Sequence, residues 1–303
     1  MTLVGTLKNI AYIALFIILL PLIPLIIGGI TKLYDRYFET RVQVGVLPIK
    51  GILYDSSHYT KQLNKFFKDD QIKAILLKIE CAGSAAGTGQ AIYNELVELK
   101  KEYPKPVIVL VENICASGGY YIASAADHII ASPMAMVGSI GVAMPYFFQL
   151  KDLVEYYKVK YVPLAAGDYK NSTNPFTDIT PEQKEMLQSV IDDSYEQFAA
   201  DIAEQRNVSL NTKNEWANGK IFNGRQAMKL GLIDELGSAT QAAKSIKEKA
   251  GITTDIKWVH APSRTSFWSI FGGESDDEQT IVSSLANEFL TIVENRYTNH
   301  MVC

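Results

Sequence analysis

Long apolar runs alternate with amphipathic stretches from residue 42 to residue 132 of this chain. The apolar runs predict strands, the first ending in a turn, at 42–53, 72–80, 106–112 and 128–132. The stretches 59–70 and 89–103 have the apolar spacing of helices. Strands that are apolar at every position are buried on both faces, as in parallel sheets. The alternation therefore predicts an α/β fold with a mainly parallel sheet, flanking helices and right-handed crossovers.

The second half of the chain is more helical. Its predicted helices are 181–206, 224–231 and 238–251. Thr180 and Pro181 suit the cap and the first position of the longest helix, and a glycine ends each of the other two. The polar stretch 261–277 predicts a linker, and 278–297 predicts one more helix.

Residues 10–30 carry no charge. About 20 apolar residues form a helix long enough to span a bilayer. A cleaved signal peptide has a shorter apolar region and a small-residue cleavage site, which this segment lacks. The alternative is a buried core helix. We expect one N-terminal transmembrane helix, and a division into an anchor (1–40), a main domain (41–252) and a C-terminal extension (253–303).

The charges beside this segment bear on its orientation. Lys8 precedes it, whereas Lys32, Arg36 and Arg41 follow it. Basic residues favour the cytoplasmic side. Taken alone, the flanking charges place the main domain in the cytoplasm.

Composition excludes two classes of protein. The net charge is -4 and no basic cluster occurs, which argues against a nucleic-acid partner. Cys81, Cys115 and Cys303 do not form an even set, so the chain is not a disulfide-stapled scaffold. Cys81 and Cys115 are interpreted as small buried apolar side chains.

The stretch CASGG places Ser117 directly after a predicted strand and at the start of a helix. The first N–H groups of a helix lack partners inside the helix and can bind a developing oxyanion. Gly118 and Gly119 let a substrate approach the backbone closely. Two interpretations are open: a nucleophile, or a small residue where two elements pack tightly.

A nucleophilic serine needs a base. The chain has four histidines, and none has an obvious partner to orient it; they are His58, His128, His260 and His300. Lysine is the other option, provided that burial lowers its pKa towards neutrality. Lys170 lies in the loop GDYKNSTNPF, but residue type alone does not select it over the other lysines.

The segment ENICASGGYYIASAADHIIASPMAMVGSIGV, together with GDYKNSTNPF, resembles the signal peptide peptidase A family. This family (protease IV type, peptidase family S49) is related to the ClpP/crotonase superfamily. The resemblance implies a ClpP/crotonase-like fold. It also implies that Ser117 is the nucleophile, Lys170 the general base and Ser139 the residue that orients the lysine. No cofactor or metal is implied.

The same resemblance implies an oxyanion hole formed by the Gly118 N–H and an N–H of the Gly83 loop. The family loop reads Asn/Glu-Ser-Pro-Gly-Gly, whereas this chain reads ECAGSAAG. Gly83 matches the first glycine, Ala82 replaces the proline and Ser84 replaces the second glycine. If that second position required positive φ, Ser84 would be strained.

Taken together, the resemblance implies a membrane-anchored serine endopeptidase that cleaves signal-peptide remnants or other short apolar peptides. It implies a homo-oligomeric ring in which a neighbouring subunit can complete the dyad. It also places the catalytic domain outside the cytoplasm, against the flanking charges. Two alternatives are a catalytically impaired scaffold and a crotonase-type acyl-CoA enzyme.

Overall fold

The computed structural model describes residues 41–144 and 147–262. The predicted transmembrane helix at 10–30 and the predicted C-terminal helix at 278–297 lie outside these residues, as does most of the predicted linker. Among the residues described, no helix is both long and apolar enough to cross a membrane.

A nine-stranded sheet forms the centre of the described fold. Its strands are β1 (Val42–Leu53), β2 (Ile72–Ser84), β3 (Val107–Val111), β4 (Ile114–Ala116), β5 (His128–Ala131), β6 (Met136–Gly138), β7 (Ile221–Asn223), β8 (Glu235–Leu236) and β9 (Ile256–His260). The order is β7-β6-β4-β2-β3-β5-β8, with β1 pairing to β2 and β9. Only the β6–β7 pair is antiparallel, so the predicted mainly parallel sheet is confirmed.

Strand β2 pairs with two different strands on the same side. Ile75–Lys78 pair with β3, whereas Cys81 further along pairs with Cys115 of β4. The sheet therefore divides at β2, and the end of β2 lies beside the end of β4. Residues 83 and 84, at the end of β2, are thereby brought next to residue 117.

Eight α-helices flank the sheet in the part of the chain described. They are α1 (Ser57–Lys68), α2 (Ala86–Glu102), α3 (Gly118–Ser124), α4 (Lys151–Tyr156), α5 (Pro181–Arg206), α6 (Lys213–Trp216), α7 (Gly224–Lys229) and α8 (Ala239–Ala250). Helix α5 has the predicted bounds, and Thr180 forms a capping box with Gln183. Helix α8 is capped at its C-terminal end by Gly251, which has a φ of 63°.

The apolar runs are explained by burial on both faces of the sheet. Ile75 and Leu77 of β2 point into the larger core cluster. The alternate residues, Ala74 and Leu76, point into a smaller cluster that includes Ile246 of α8. Alternate residues of one strand thus serve two different cores.

Some elements differ from the sequence prediction. Strand β1 does not end in a turn but continues to Leu53, with a register shift where Gly51 has a φ of 75°. Strand β9 falls within the predicted C-terminal extension, yet it pairs with β1. The short strands β4, β6, β7 and β8 were not predicted, because two or three residues are too few to show a period.

Candidate active site

Ser117 is the single residue between β4 and helix α3, and its backbone is unusual. Its φ is 51° and its ψ is -125°, in a region that residues with a side chain rarely occupy. The Ser117 N–H donates to the Gly138 carbonyl at 2.7 Å, and the Tyr121 N–H donates to the Ser117 carbonyl at 2.9 Å. The turn is therefore held from both sides, which compensates for its strain.

The two glycines after Ser117 are required by close packing against the end of β2. A Cβ atom on Gly118 would lie 2.8 Å from the Ser84 nitrogen, and one on Gly119 would lie 2.8 Å from the Cys81 carbonyl oxygen. Helix α3 has only seven residues, so its individual N–H groups matter more than any helix dipole. The packing interpretation of CASGG is thus correct for Gly118 and Gly119, and it does not exclude a chemical role for Ser117.

The Gly83–Ser84 end of β2 lies directly beside Ser117. A Cβ atom on Gly83 would lie 3.7 Å from the Ser117 Oγ. The Ala85 N–H bonds to the Leu53 carbonyl of β1 at 2.8 Å. Successive N–H groups of a strand point to opposite edges, so the Ser84 N–H faces away from β1, towards Gly118. Neither residue 83 nor residue 84 has positive φ, so the substitution of Ser84 for glycine causes no backbone strain.

Ser139 lies just after β6 and also has a φ of 51°. Its N–H donates to the Lys220 carbonyl at 2.7 Å, and the preceding Gly138 supplies the carbonyl that holds Ser117. Ser117 is therefore held against the end of β6 and Ser139 against the residue before β7, and both serines line one cavity.

This cavity has a volume of about 540 Å³. Four of the residues proposed from sequence line it, namely Ser84, Ser117, Gly118 and Ser139. Among the described residues, no charged side chain lines this cavity, and its lining includes Tyr121 and Phe198. The space in front of Ser117 therefore suits an uncharged ligand.

The aromatic side of the cavity was missed by sequence reasoning. The Tyr121 ring stacks on Tyr93 and packs against Phe198, with 4.6 Å and 4.5 Å between the respective ring centroids. The Tyr121 hydroxyl donates a hydrogen bond to the Asp201 carboxylate. Burial, followed by the Asp201 carboxylate, raises the pKa of Tyr121, so this hydroxyl stays protonated. The other lining residues of this side lie on α5 at the spacing i, i+3, i+4 and are Ser194, Gln197 and Phe198. This spacing places them on one face of the predicted helix, which is the sequence signal that could have identified them.

Lys170 does not line the cavity of its own chain. It lies in a turn in which its N–H bonds to the Gly167 carbonyl at 3.1 Å, and residues 161–170 are all exposed. The segment before it exposes large apolar side chains to between 69% and 92%, namely Phe148, Tyr156, Tyr157, Val162 and Leu164. Helix α4, in the middle of this segment, has no buried residue. Within one chain, the structure brings together the two serines and the Gly83–Ser84 end of β2, whereas Lys170 does not line their cavity.

No histidine among the described residues lines the cavity. His128 Nε2 lies 3.2 Å from Glu235 Oε2, and its Nδ1 lies 3.9 Å from Asp234 Oδ2, in a cluster on β5 and β8. His58 makes an edge contact with Tyr59, and His260 lies in β9. A Ser-His arrangement therefore has no support from the described geometry.

Comparison with known proteins identifies the family. A family model described as peptidase family S49 matches residues 99–253. The chain belongs to peptidase family S49. The matched range includes Ser117, Ser139 and Lys170, whereas Gly83 and Ser84 precede it.

Individual S49 relatives agree with this assignment. "Putative protease MJ0651" of Methanocaldococcus jannaschii is 35% identical over 237 residues, which are 75% of this chain and 73% of that protein. "Putative signal peptide peptidase SppA" of Enterococcus faecium is 27% identical over 242 residues, 80% of this chain and 70% of that protein. "Serine protease SPPA, chloroplastic" of Arabidopsis thaliana is 28% identical over 214 residues, 70% of this chain and 31% of that protein. The predicted class, a serine peptidase, is confirmed, and the acyl-CoA alternative is replaced by it.

Proposed function

We propose that this S49 peptidase is a membrane-anchored endopeptidase that uses a Ser117–Lys170 dyad to cleave signal-peptide remnants or other short apolar peptides. The observation that carries the proposal is Ser117 itself. It occupies a strained strand-to-helix turn, faces an uncharged cavity and lies beside the Gly83–Ser84 end of β2. Strained backbone that is held by surrounding bonds is often found at catalytic residues.

The proposed reaction proceeds in two halves. Neutral Lys170 accepts the proton of the Ser117 hydroxyl as its oxygen attacks the peptide carbonyl carbon. The Gly118 N–H and the Ser84 N–H then donate to the oxyanion. Lys170 returns the proton to the leaving amine, and the C–N bond breaks to leave an acyl-enzyme. A water, deprotonated by Lys170, hydrolyses that ester and regenerates Ser117.

The position of Lys170 favours a dyad shared between subunits of a homo-oligomeric ring. Its loop is exposed and follows the apolar segment 147–164, in which large apolar side chains are exposed in the part of the chain described. Packing this segment against a second copy would bury it and would bring the lysine into a drier environment. Such an environment lowers the pKa of an ammonium group, as a general base requires. Ser139 would then orient the lysine supplied by the neighbour.

Mixing two inactive variants tests the shared dyad. Ser117→Ala and Lys170→Ala chains, refolded or coexpressed together, contain some sites with an intact serine on one subunit and an intact lysine on the next. In a ring with random mixing, about a quarter of the sites are complete, so about a quarter of the wild-type activity is expected. Activity that stays at the background of the separate variants contradicts a dyad shared between subunits.

The substrate class follows from the cavity and the N-terminal sequence. A cavity without charged lining residues favours apolar side chains, because an unpaired charge would be desolvated there. The uncharged segment 10–30 is long enough to hold the enzyme at the bilayer, where such peptides are released. By family resemblance, the catalytic domain faces away from the cytoplasm. Digestion by an added protease in intact spheroplasts tests that orientation, and full protection would contradict it.

The catalytic assignment is tested with the full-length protein, purified in mild detergent, and a fluorogenic apolar peptide. Ser117→Ala and Lys170→Ala are expected to lose activity by at least about 10³-fold. Ser189→Ala and Lys184→Ala are matched controls, since both residues are exposed on α5 outside the cavity lining. Full activity in both active-site variants would overturn the dyad. A wild-type protein that neither cleaves peptides nor reacts with serine-directed probes would support the impaired-scaffold alternative.

A further inference from the structure

The Ser84 side chain lies in the crevice between helices α2 and α3, next to the nucleophile turn. Its Oγ would be 1.9 Å from a Cβ atom on Gly118 and 2.5 Å from one on Gly89. Only glycines at these two positions leave room for the hydroxyl. Ser84 also lines the cavity that contains Ser117 and Gly118.

The Ser84 hydroxyl has no hydrogen-bond partner in the part of the chain described, although its oxygen is buried. Two other serines of the described residues, the buried Ser124 and the cavity-lining Ser194, each donate to a backbone carbonyl. Ser124 donates to Tyr121 at 2.7 Å, and Ser194 donates to Val190 at 2.8 Å. An unpartnered buried hydroxyl opposes folding, because its desolvation is not repaid by a hydrogen bond. Its acceptor is therefore to be sought in a molecule that enters the cavity.

A peptide bound for attack by Ser117 brings such an acceptor. Its carbonyl oxygen must lie near the Gly118 N–H, and the Ser84 side chain packs directly against Gly118. Rotation about the Ser84 Cα–Cβ bond would aim the hydroxyl at this oxygen. We propose that the Ser84 hydroxyl is a third donor to the substrate carbonyl, beside the Gly118 and Ser84 N–H groups, and that its hydrogen bond is strongest to the oxyanion. This proposal rests on the proposed function.

The role requires no proton transfer, because the hydroxyl keeps its proton and only donates a hydrogen bond. The loss of one oxyanion donor costs on the order of 10²-fold in kcat. Because the hydroxyl lacks a partner until substrate binds, its removal is expected to stabilise the free enzyme. The proposal therefore predicts opposite effects on activity and on stability, which a space-filling role does not.

The experiment compares wild-type full-length protein with Ser84→Ala and Ser84→Gly. Both variants are expected to lose kcat by on the order of 10²-fold while KM changes by less than about threefold. The affinity for a peptide boronate, which forms a tetrahedral adduct on serine, is expected to fall in parallel with kcat/KM. Ser84→Ala is expected to melt at a higher temperature than wild type. Ser189→Ala, whose hydroxyl donates to Met186 at 2.7 Å outside the cavity lining, is the control.

Retention of wild-type kcat and boronate affinity by both variants, or faster turnover by Ser84→Gly, would show that the hydroxyl only fills space. If Ser84→Ala folds poorly, Ser84→Gly still allows kcat and boronate affinity to be compared with those of wild type. Failure of the proposed function looks different, since wild type itself would then show no hydrolysis that depends on Ser117. In that case the proposed role of Ser84 falls with it.

Discussion

Replacement of Ser117 by glycine and by alanine measures the strain at the nucleophile turn. Both changes remove the hydroxyl, so they are matched in chemistry and differ in the backbone. Alanine keeps a Cβ atom at a φ of 51° and a ψ of -125°, whereas glycine adopts these angles without a clash. Ser117→Gly is expected to be the more stable of two inactive proteins.

The expected difference follows from two opposing terms. A residue with a side chain in such a region stores on the order of 1–3 kcal/mol. Glycine restricts the unfolded chain less than alanine does, which costs about 0.4–1 kcal/mol of stability. The midpoints of the two ranges leave glycine favoured by about 1.3 kcal/mol, which corresponds to a rise of about 3–5 °C in Tm for a domain of this size.

Thermal and urea unfolding of the two full-length variants, followed by circular dichroism, measure this difference. Ser132 supplies the control, because it also follows directly on a parallel strand, β5, and does not have positive φ. There the alanine variant is expected to be the more stable one. If Ser117→Gly is no more stable than Ser117→Ala, the turn holds no strain and the reasoning about Ser117 is refuted.

The packing behind the turn, the buried thiols and one ion pair give three more expected outcomes. Gly119→Ala should lower the free energy of unfolding in urea by about 1–3 kcal/mol, because its Cβ atom would meet the Cys81 carbonyl oxygen at 2.8 Å; an unchanged midpoint would contradict this contact. Burial raises the pKa of the Cys81 and Cys115 thiols, so iodoacetamide at pH 8 should leave their peptides unmodified in the native protein and label them in urea, as read by mass spectrometry. Burial alone would raise the pKa of Asp234, but the hydrogen bond and charge of Arg206 outweigh it and hold that pKa below the ordinary 3.8. The stabilisation is thus complete above pH 3.8 and is lost as the pH falls through the lowered pKa. Asp234→Asn should therefore lower the free energy of unfolding by about 2 kcal/mol at pH 7. This difference from wild type should shrink only below pH 3.8, so an equal difference at every pH would refute the assignment.

The sequence was sufficient to predict the elements that are long and periodic. The strand at 72–80 and the helix at 181–206 were recognised because burial on two faces and a capped amphipathic helix both leave local signals. The division of the sheet at β2 was not predictable in this way. It depends on Cys81 pairing with Cys115 across 34 positions of sequence, which no local pattern encodes.

The candidate site was predictable only in part, for a similar reason. Ser117 and Gly118 stand together in a motif, so the sequence indicated them directly. Their proximity to Ser84 and to Phe198 of α5 arises from packing between distant segments. The relation of Ser117 to Lys170 lies beyond a single chain in the proposed ring, so neither the sequence pattern nor the fold of one subunit specifies it.

We propose Ser117 as the nucleophile of this S49 peptidase. A fluorophosphonate probe reacts with activated serines, so its site of attachment tests the claim directly. Wild-type full-length protein, labelled and digested for peptide mapping by mass spectrometry, is expected to carry the probe on Ser117, and Ser117→Ala is expected to remain unlabelled. Equal labelling of Ser117→Ala, or attachment to a different serine in wild type, would contradict the account.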